Sequence, residues 1–178
     1  MKITRKNLFS SIISATGFLA GNYLTGLKKA FGLEKKTDLV VIKTNALTDK
    51  SIYGMVVKGF EEMGGIQKFV KKGSKVVIKP NMGFNSTPDR AHTTNPILVE
   101  AVAAMCKRAG ANVAIMDRPV HNARLCYRSS GIEEVAKKVG VDYVYMDRAK
   151  FKTVKVPGGL NLDTLDVYED ILEADCII

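Results

Sequence analysis

The sequence from residue 37 onward predicts an α/β fold, a Rossmann-like arrangement with a largely parallel sheet and flanking helices. Three observations predict it. Short β-branched runs alternate with longer segments of helical period, which is the pattern of βαβ units. Most of the runs are apolar throughout, as in parallel strands that are covered on both faces. Glycines follow the helical segments, where a positive φ ends a helix at little cost.

Five apolar runs are the candidates for buried strands of this sheet. They occupy residues 39–42, 76–79, 113–116, 143–146 and 175–178. Residues 153–156 alternate with lysines and predict an edge strand or one arm of a hairpin instead. The predicted sheet therefore draws its strands from the whole length between residues 39 and 178.

Three helices are predicted between these runs. They cover about residues 51–63, 97–108 and 132–139. The second is the best defined, because Asn95 can cap it and Pro96 takes a first-turn position where a missing N–H costs nothing. The first helix is expected to end at Gly64 and Gly65, and the third at Gly140.

Residues 1–36 are predicted to be a leader segment, separate from the α/β domain of residues 37–178. A basic start is followed by residues 7–27 without a charge and then by two lysines, which is the layout of a signal peptide. The sequence TRKNLF at residues 4–9 resembles the twin-arginine export motif, with Lys6 in place of the second arginine. We therefore expect an exported protein, periplasmic or in the cell envelope, whose leader engages the export machinery and, if uncleaved, the membrane surface. The alternative is an amphipathic amino-terminal helix of a cytoplasmic protein.

Most of the positive charge lies in that leader. The chain has 27 Lys and Arg against 18 Asp and Glu, a formal net charge of +9. Seven of the basic residues and one acidic residue fall within residues 1–36, so 20 basic residues oppose 17 acidic ones in residues 37–178. This surplus is too small for a surface that follows a phosphate backbone, so nucleic acid is not an expected partner.

Cysteine spacing argues against a metal site. Cys106, Cys126 and Cys176 lie far apart, and no two form the close pair that zinc sites and iron–sulfur clusters use. Cys106 and Cys176 fall within apolar runs and are predicted core residues, whereas Cys126 is a candidate free thiol. No metal ligand is therefore predicted.

Candidate site residues follow from position, because no Gly-Lys-Ser/Thr phosphate loop, Gly-x-Ser-x-Gly elbow or His-Glu-x-x-His motif is present. Ligands of open parallel sheets bind beyond the carboxyl ends of the strands. The polar residues near those ends predict a site for a small anionic molecule or cofactor. It consists of Lys79, Asn81, Thr94, Asn95, Asp117 and His121. No catalytic residue is assigned.

The first four of these residues follow the second predicted strand. Lys79 offers its ammonium to an anion, and Asn81 presents both a donor and an acceptor. Thr94 and Asn95 open a helix, where unpaired N–H groups favour a phosphate or carboxylate. The alternative is that Thr94 and Asn95 only cap the helix and that Lys79 is a solvated strand end.

The remaining two follow the third predicted strand. Asp117 could hold a ribose hydroxyl, a metal ion or Arg118, and the sequence leaves these three roles open. His121, like His92, lies in a predicted loop near the cleft. Each imidazole could serve as acid, base or ligand, and the alternative is that it is merely solvated.

Three segments together resemble the domain of unknown function 362 family. They are GSKVVIKPN at residues 73–81, TTNP at residues 93–96 with the helix behind it, and ILEADCII at residues 171–178. The resemblance covers about residues 38–178, and its most specific part is Lys-Pro-Asn followed by Thr-Thr-Asn-Pro. Similar proteins often have a twin-arginine leader, and some carry ferredoxin-like iron–sulfur segments. The resemblance therefore implies a redox setting, and with it a redox partner, without defining a reaction.

The chain departs from the family pattern in two places. The sequence Arg118-Pro119-Val120-His121 stands where the family has a glycine-containing loop. The chain also stops at Ile178 inside an apolar run, before the asparagine and lysine-rich segment that the family shows next. We therefore expect a domain that is incomplete at its C-terminal end, and an iron–sulfur cluster only if the missing part supplies cysteines.

Two functions are compatible with these expectations. One is a redox-linked or iron–sulfur-linked enzyme or maturation factor that uses the anion site. The alternative is a non-catalytic protein that holds a phosphorylated or carboxylated molecule in the same cleft. An inactive truncated copy is a third.

Overall fold

The computed structural model describes residues 39–178. The predicted leader, on which the expectation of export depends, lies outside the described residues. The helices and strands follow the predicted alternation. In chain order they are α1 (Asp49–Glu62), β1 (Lys75–Ile78), α2 (Pro96–Arg108), β2 (Asn112–Asp117), α3 (Ala123–Ser129), α4 (Ile132–Val139), β3 (Asp142–Tyr145), β4 (Phe151–Lys155), β5 (Thr164–Tyr168), α5 (Glu169–Leu172) and β6 (Cys176–Ile177). Within residues 39–178, every helix is too short or too polar to cross a membrane.

The main sheet has four parallel strands in the order β3-β2-β1-β6. Val76 of β1 lies opposite Val113 of β2, and Ala114 of β2 lies opposite Asp142 of β3. Because all four strands run the same way, their carboxyl ends meet at one edge of the sheet. The predicted parallel α/β fold is thereby confirmed. The predicted hairpin arm is also confirmed, since β4 and β5 form a separate antiparallel pair.

Alternate residues of the strands face two different layers. Val76 and Ile78 of β1 belong to one buried cluster, which includes residues of α2 and α4. Val77 of β1 belongs to a second cluster, with Met116 of β2 and Tyr168 of β5. Side chains alternate along a strand, so the sheet is covered by helices on one face and by the β4–β5 hairpin and α5 on the other. This explains why the strands are apolar at consecutive positions.

The helix ends follow the predicted signals. The Asn95 side chain accepts a hydrogen bond from the Ile97 N–H at 2.9 Å, with Pro96 in the first turn of α2. Gly140 closes α4 with φ 70°, a conformation that costs glycine least. There the ammonium of Lys107 also caps the end of α4, since it donates to the carbonyls of Val139 at 2.7 Å and Gly140 at 2.8 Å.

One predicted strand is wrong. Residues 39–42 form no strand, and Leu39 and Val41 are 80% and 84% exposed. The continuous apolar run predicted a strand, but a strand needs a partner for its backbone, and within residues 39–178 none pairs with this segment. Ile42 instead packs beside Gly59 of α1, with its Cδ1 3.6 Å from the position that a Cβ on Gly59 would take.

The cysteines lie where the apolar runs placed them. Cys106 is fully buried in the core, as predicted, whereas Cys176 is only partly buried and packs against the core. Cys126 is unpaired, as predicted, but it is also fully buried. Burial raises the pKa of the Cys106 thiol to about 11. Buried protonated thiols of this kind are unreactive.

Candidate ligand site at the carboxyl ends of β1 and β2

The predicted site residues Lys79 and Asp117 meet at the edge where β1 and β2 end. The Lys79 Nζ lies 2.8 Å from Asp117 Oδ1. The other carboxylate oxygen, Oδ2, accepts the Met82 N–H at 2.9 Å. The side chain of Asp117 is 7% exposed and that of Lys79 is 52% exposed. A buried carboxylate is thus satisfied on both oxygens, and it holds an ammonium at the surface.

This arrangement corrects the expectation of a free Lys79 ammonium and shows which protein groups Asp117 contacts. The Lys79 ammonium is not free, because Asp117 accepts one of its three donors. Of the partners left open for Asp117, Arg118 is not the one it contacts. The Arg118 guanidinium lies over the ring of Phe151, 4.9 Å from its centroid. The pair of Lys79 and Asp117 is neutral as a whole, with its positive member facing outward.

Tyr127 of α3 holds the end of β2 in place, a role that the sequence analysis did not predict. Its hydroxyl accepts the Asp117 N–H at 3.0 Å and lies within hydrogen-bonding distance of the carbonyls of Asp117 and Val144. The ring is fully buried. Burial raises the pKa of the Tyr127 hydroxyl to about 12, so the hydroxyl keeps its proton at neutral pH. Tyr127 therefore joins α3, β2 and β3 directly behind the site.

Asn81 and Thr94 close the loop between β1 and α2. The Asn81 N–H donates to Thr94 Oγ1 at 2.9 Å, and the Thr94 N–H donates to the Asn81 carbonyl at 2.7 Å. The Asn81 amide nitrogen also donates to the His92 carbonyl at 3.3 Å. The polar groups of Asn81, Thr94 and Asn95 are thus largely used within the protein. Asn95 caps α2, as the capping alternative expected, whereas Thr94 binds Asn81 instead.

His121 lies at the same edge, in the loop after β2. Its Nδ1 accepts the Asn85 N–H at 3.2 Å. The N–H groups of Val120 and His121 both donate to the Gly83 carbonyl, at 2.9 and 3.3 Å, which joins this loop to the loop after β1. The structure therefore brings Lys79, Asn81, Thr94, Asp117 and His121 into one connected region, with Asn95 behind it at the start of α2. Within residues 39–178, no cluster of three or more His, Cys, Asp and Glu side chains could hold a metal ion.

The fold and this edge define a Rossmann-like α/β domain with a lysine–aspartate pair at the carboxyl ends of neighbouring strands. A match to the family described as "Domain of unknown function (DUF362)" covers residues 76–178, more than half of the chain. The chain therefore belongs to the domain of unknown function 362 family. The match runs from the second residue of β1 through β6 and includes every residue of the candidate site.

A curated relative is the thylakoid-associated protein of Synechocystis sp., which is 27% identical over 119 residues. That alignment covers 66% of this chain and 36% of the relative. The chain thus spans about a third of the length of the relative that it matches. No solved structure matches the chain.

Proposed function

We propose that the edge formed by β1 and β2 binds a small anionic molecule, with Lys79 as its cationic contact. The observation that carries the proposal is the half-exposed side chain of Lys79, whose ammonium is held 2.8 Å from the buried Asp117 carboxylate. An ammonium has three donors, so a lysine that is oriented by one carboxylate keeps two for a ligand. Its location matches the place where open parallel sheets bind ligands.

In the proposal, the other predicted site residues support the contact between Lys79 and the ligand or lie beside it. Asp117 orients the ammonium, and Asn81 and Thr94 hold the loop that carries it. Asn95 sets the start of α2, and His121 offers a ring nitrogen at the far side. Binding is proposed ahead of a redox-linked enzyme or a maturation factor, since those two are supported only by the family resemblance.

Replacing Lys79 with methionine tests the proposal. The change Lys79→Met removes the charge but keeps much of the aliphatic stem, so we expect binding of pyrophosphate to the full chain to fall at least tenfold. Losing a charge-assisted hydrogen bond to an anion has an effect of this order. Isothermal titration calorimetry measures it, with circular dichroism to establish that the variant is folded.

Lys75→Met is the matched control. Lys75 stands at the opposite end of β1, and its Nζ also lies 2.8 Å from a carboxylate, that of Glu173. Its side chain is 61% exposed, similar to that of Lys79. We expect this variant to bind pyrophosphate as the wild type does. Equal losses in the two variants, or no loss in Lys79→Met, would show that the anion does not bind at Lys79.

We also propose that the protein is exported to the periplasm or cell envelope by its leader, with the export machinery as partner. Support comes from the basic, uncharged and basic order of residues 1–36 and from TRKNLF at residues 4–9. The matched relative is described as thylakoid-associated, and we extend to this chain the proposal of a membrane-surface location.

Cell fractionation tests export. The wild-type chain should be found outside the cytosol, and Arg5→Lys should retain it in the cytosol, because the motif then has no arginine. Lys29→Arg, which lies outside the motif and keeps the charge, is the control. Finding the unprocessed wild-type chain wholly in the cytosol would contradict export.

A further inference from the structure

An aromatic cluster of Phe84, His92 and His121 lies in the loops that follow β1 and β2. The ring centroid of Phe84 is 5.6 Å from that of His121, with the planes at 81°, and 6.2 Å from that of His92, with the planes at 64°. Such edge-to-face pairs are favourable and fix the orientation of the rings. Phe84 is nevertheless 42% exposed. A large aromatic ring is therefore held in one place while much of it faces solvent.

In each of the two imidazoles, Nδ1 is the nitrogen that contacts the protein. The Nδ1 of His121 accepts the Asn85 N–H at 3.2 Å, and the Nδ1 of His92 lies 3.1 Å from the hydroxyl of the buried Ser86. A backbone N–H can only donate, so the Nδ1 of His121 must carry its lone pair, and the neutral ring keeps its proton on Nε2. In the neutral ring, the Nε2–H of His121 is therefore a hydrogen-bond donor.

The aromatic cluster adjoins the pair of Lys79 and Asp117. Met82, whose N–H binds the Asp117 carboxylate, stands two residues before Phe84. Two residues span at most about 7 Å of extended chain. The carbonyl of Gly83, between them, accepts the N–H groups of Val120 and His121. An ammonium, a ring nitrogen that donates and an exposed aromatic ring thus lie along one edge of the sheet.

We propose that the ligand of this edge carries a planar aromatic ring together with its negative charge, as a nucleotide does. This inference rests on the anion binding proposed above. The ring packs against Phe84, the Nε2–H of His121 donates to an acceptor on it, and Lys79 contacts the phosphate. A simple inorganic anion would engage Lys79 and leave the anchored aromatic cluster without a contact.

A comparison of ADP with pyrophosphate tests the inference, because the two share a diphosphate group and differ by the adenosine. Isothermal titration calorimetry of the full chain should show about tenfold tighter binding of ADP, within the range that stacking of a base on an aromatic side chain provides. Phe84→Leu should remove most of this preference for ADP, because the adenine then has no aromatic ring to pack against. Leucine keeps an apolar side chain at this position but provides no ring.

Phe69→Leu is the matched control. Phe69 is 39% exposed, and its ring also forms an edge-to-face pair, with Phe60 at 6.1 Å, but it lies outside the loops that follow β1 and β2. We expect this variant to keep the preference for ADP. Equal wild-type affinities for ADP and pyrophosphate, or a preference that survives in Phe84→Leu, would overturn the inference and leave anion binding intact. If neither ADP nor pyrophosphate binds, both the inference and the anion binding that it rests on are overturned.

The tautomer of His121 gives a second test that needs no variant. In nitrogen-15 NMR spectra of the neutral imidazole, His121 should carry its proton on Nε2, and addition of ADP should shift that nitrogen more than pyrophosphate does. A proton on Nδ1 would remove the donor from the proposed contact and overturn the role of His121.

Discussion

The geometry of the candidate site depends on one residue, Asp117 at the end of β2. Its carboxylate holds the Lys79 ammonium and the Met82 N–H, and its backbone binds the Tyr127 hydroxyl. The positions of Lys79 and Asp117 were predictable, because the strand ends could be found from the apolar runs. Their mutual contact was not, since it depends on which strands are neighbours. Tyr127 was missed because the seven residues of α3 are too few to show a helical period.

Tyr127→Phe tests the support behind the site. Phenylalanine fills the same space but leaves the Asp117 N–H without its acceptor, so the free energy of unfolding should fall by about 1–3 kcal/mol at pH 7. Urea denaturation followed by circular dichroism measures it. Tyr53→Phe is the control, because the Tyr53 hydroxyl makes one long contact of 3.4 Å, with Arg108. A loss that is the same in both variants would contradict the role of Tyr127.

The pH dependence of the stability difference between the wild type and Tyr127→Phe is a separate prediction. The pKa of Tyr127 is raised from 10.0 to about 12 in the folded protein, because burial disfavours the phenolate. Between these values the unfolded chain releases a proton that the folded chain keeps, so the contribution of Tyr127 is complete below pH 10 and is lost as pH rises toward 12. The stability difference between wild type and Tyr127→Phe should therefore shrink over this range. A constant difference would contradict the buried hydroxyl.

At the scale of elements, caps and glycines set the ends of the helices that were predicted, and apolar runs located all but one of the strands that were predicted. The bounds of α4 match the prediction at both ends, and α2 begins directly after its predicted cap. These signals are local, so the sequence carries them completely. A strand is different, because its existence depends on a partner elsewhere in the chain. Residues 39–42 were therefore predicted wrongly, whereas α3, β5 and α5 were not predicted at all.

Asn95→Ala tests whether this residue acts as a cap. It removes the acceptor for the Ile97 N–H, so the free energy of unfolding should fall by about 1 kcal/mol. Asn112→Ala is the control, since Asn112 is also exposed and its amide makes only a 3.4 Å contact with the Gly73 carbonyl. Urea denaturation compares the two. Equal stability of Asn95→Ala and wild type would show that α2 does not depend on this cap.

At the scale of the whole domain, two apolar layers cover the faces of the sheet, so that its carboxyl edge is left to the strand ends and the loops that follow them. The helices cover one face and the β4–β5 hairpin with α5 covers the other. The sequence predicted the class of fold because buried parallel strands are apolar at consecutive positions. The long-range connections across the edge, such as the Gly83 carbonyl with the His121 N–H, were beyond sequence reasoning, because backbone groups carry no sequence signal.

The central claim is that an anion binds at the lysine held by Asp117. A crystal structure of the full chain with pyrophosphate tests it most directly. We predict that a phosphate oxygen lies within about 3 Å of the Lys79 Nζ while the Asp117 carboxylate keeps its contacts with Lys79 and Met82. Pyrophosphate bound elsewhere with the Lys79 ammonium facing only solvent, or Lys79 and Asp117 on opposite sides of the sheet, would contradict the account.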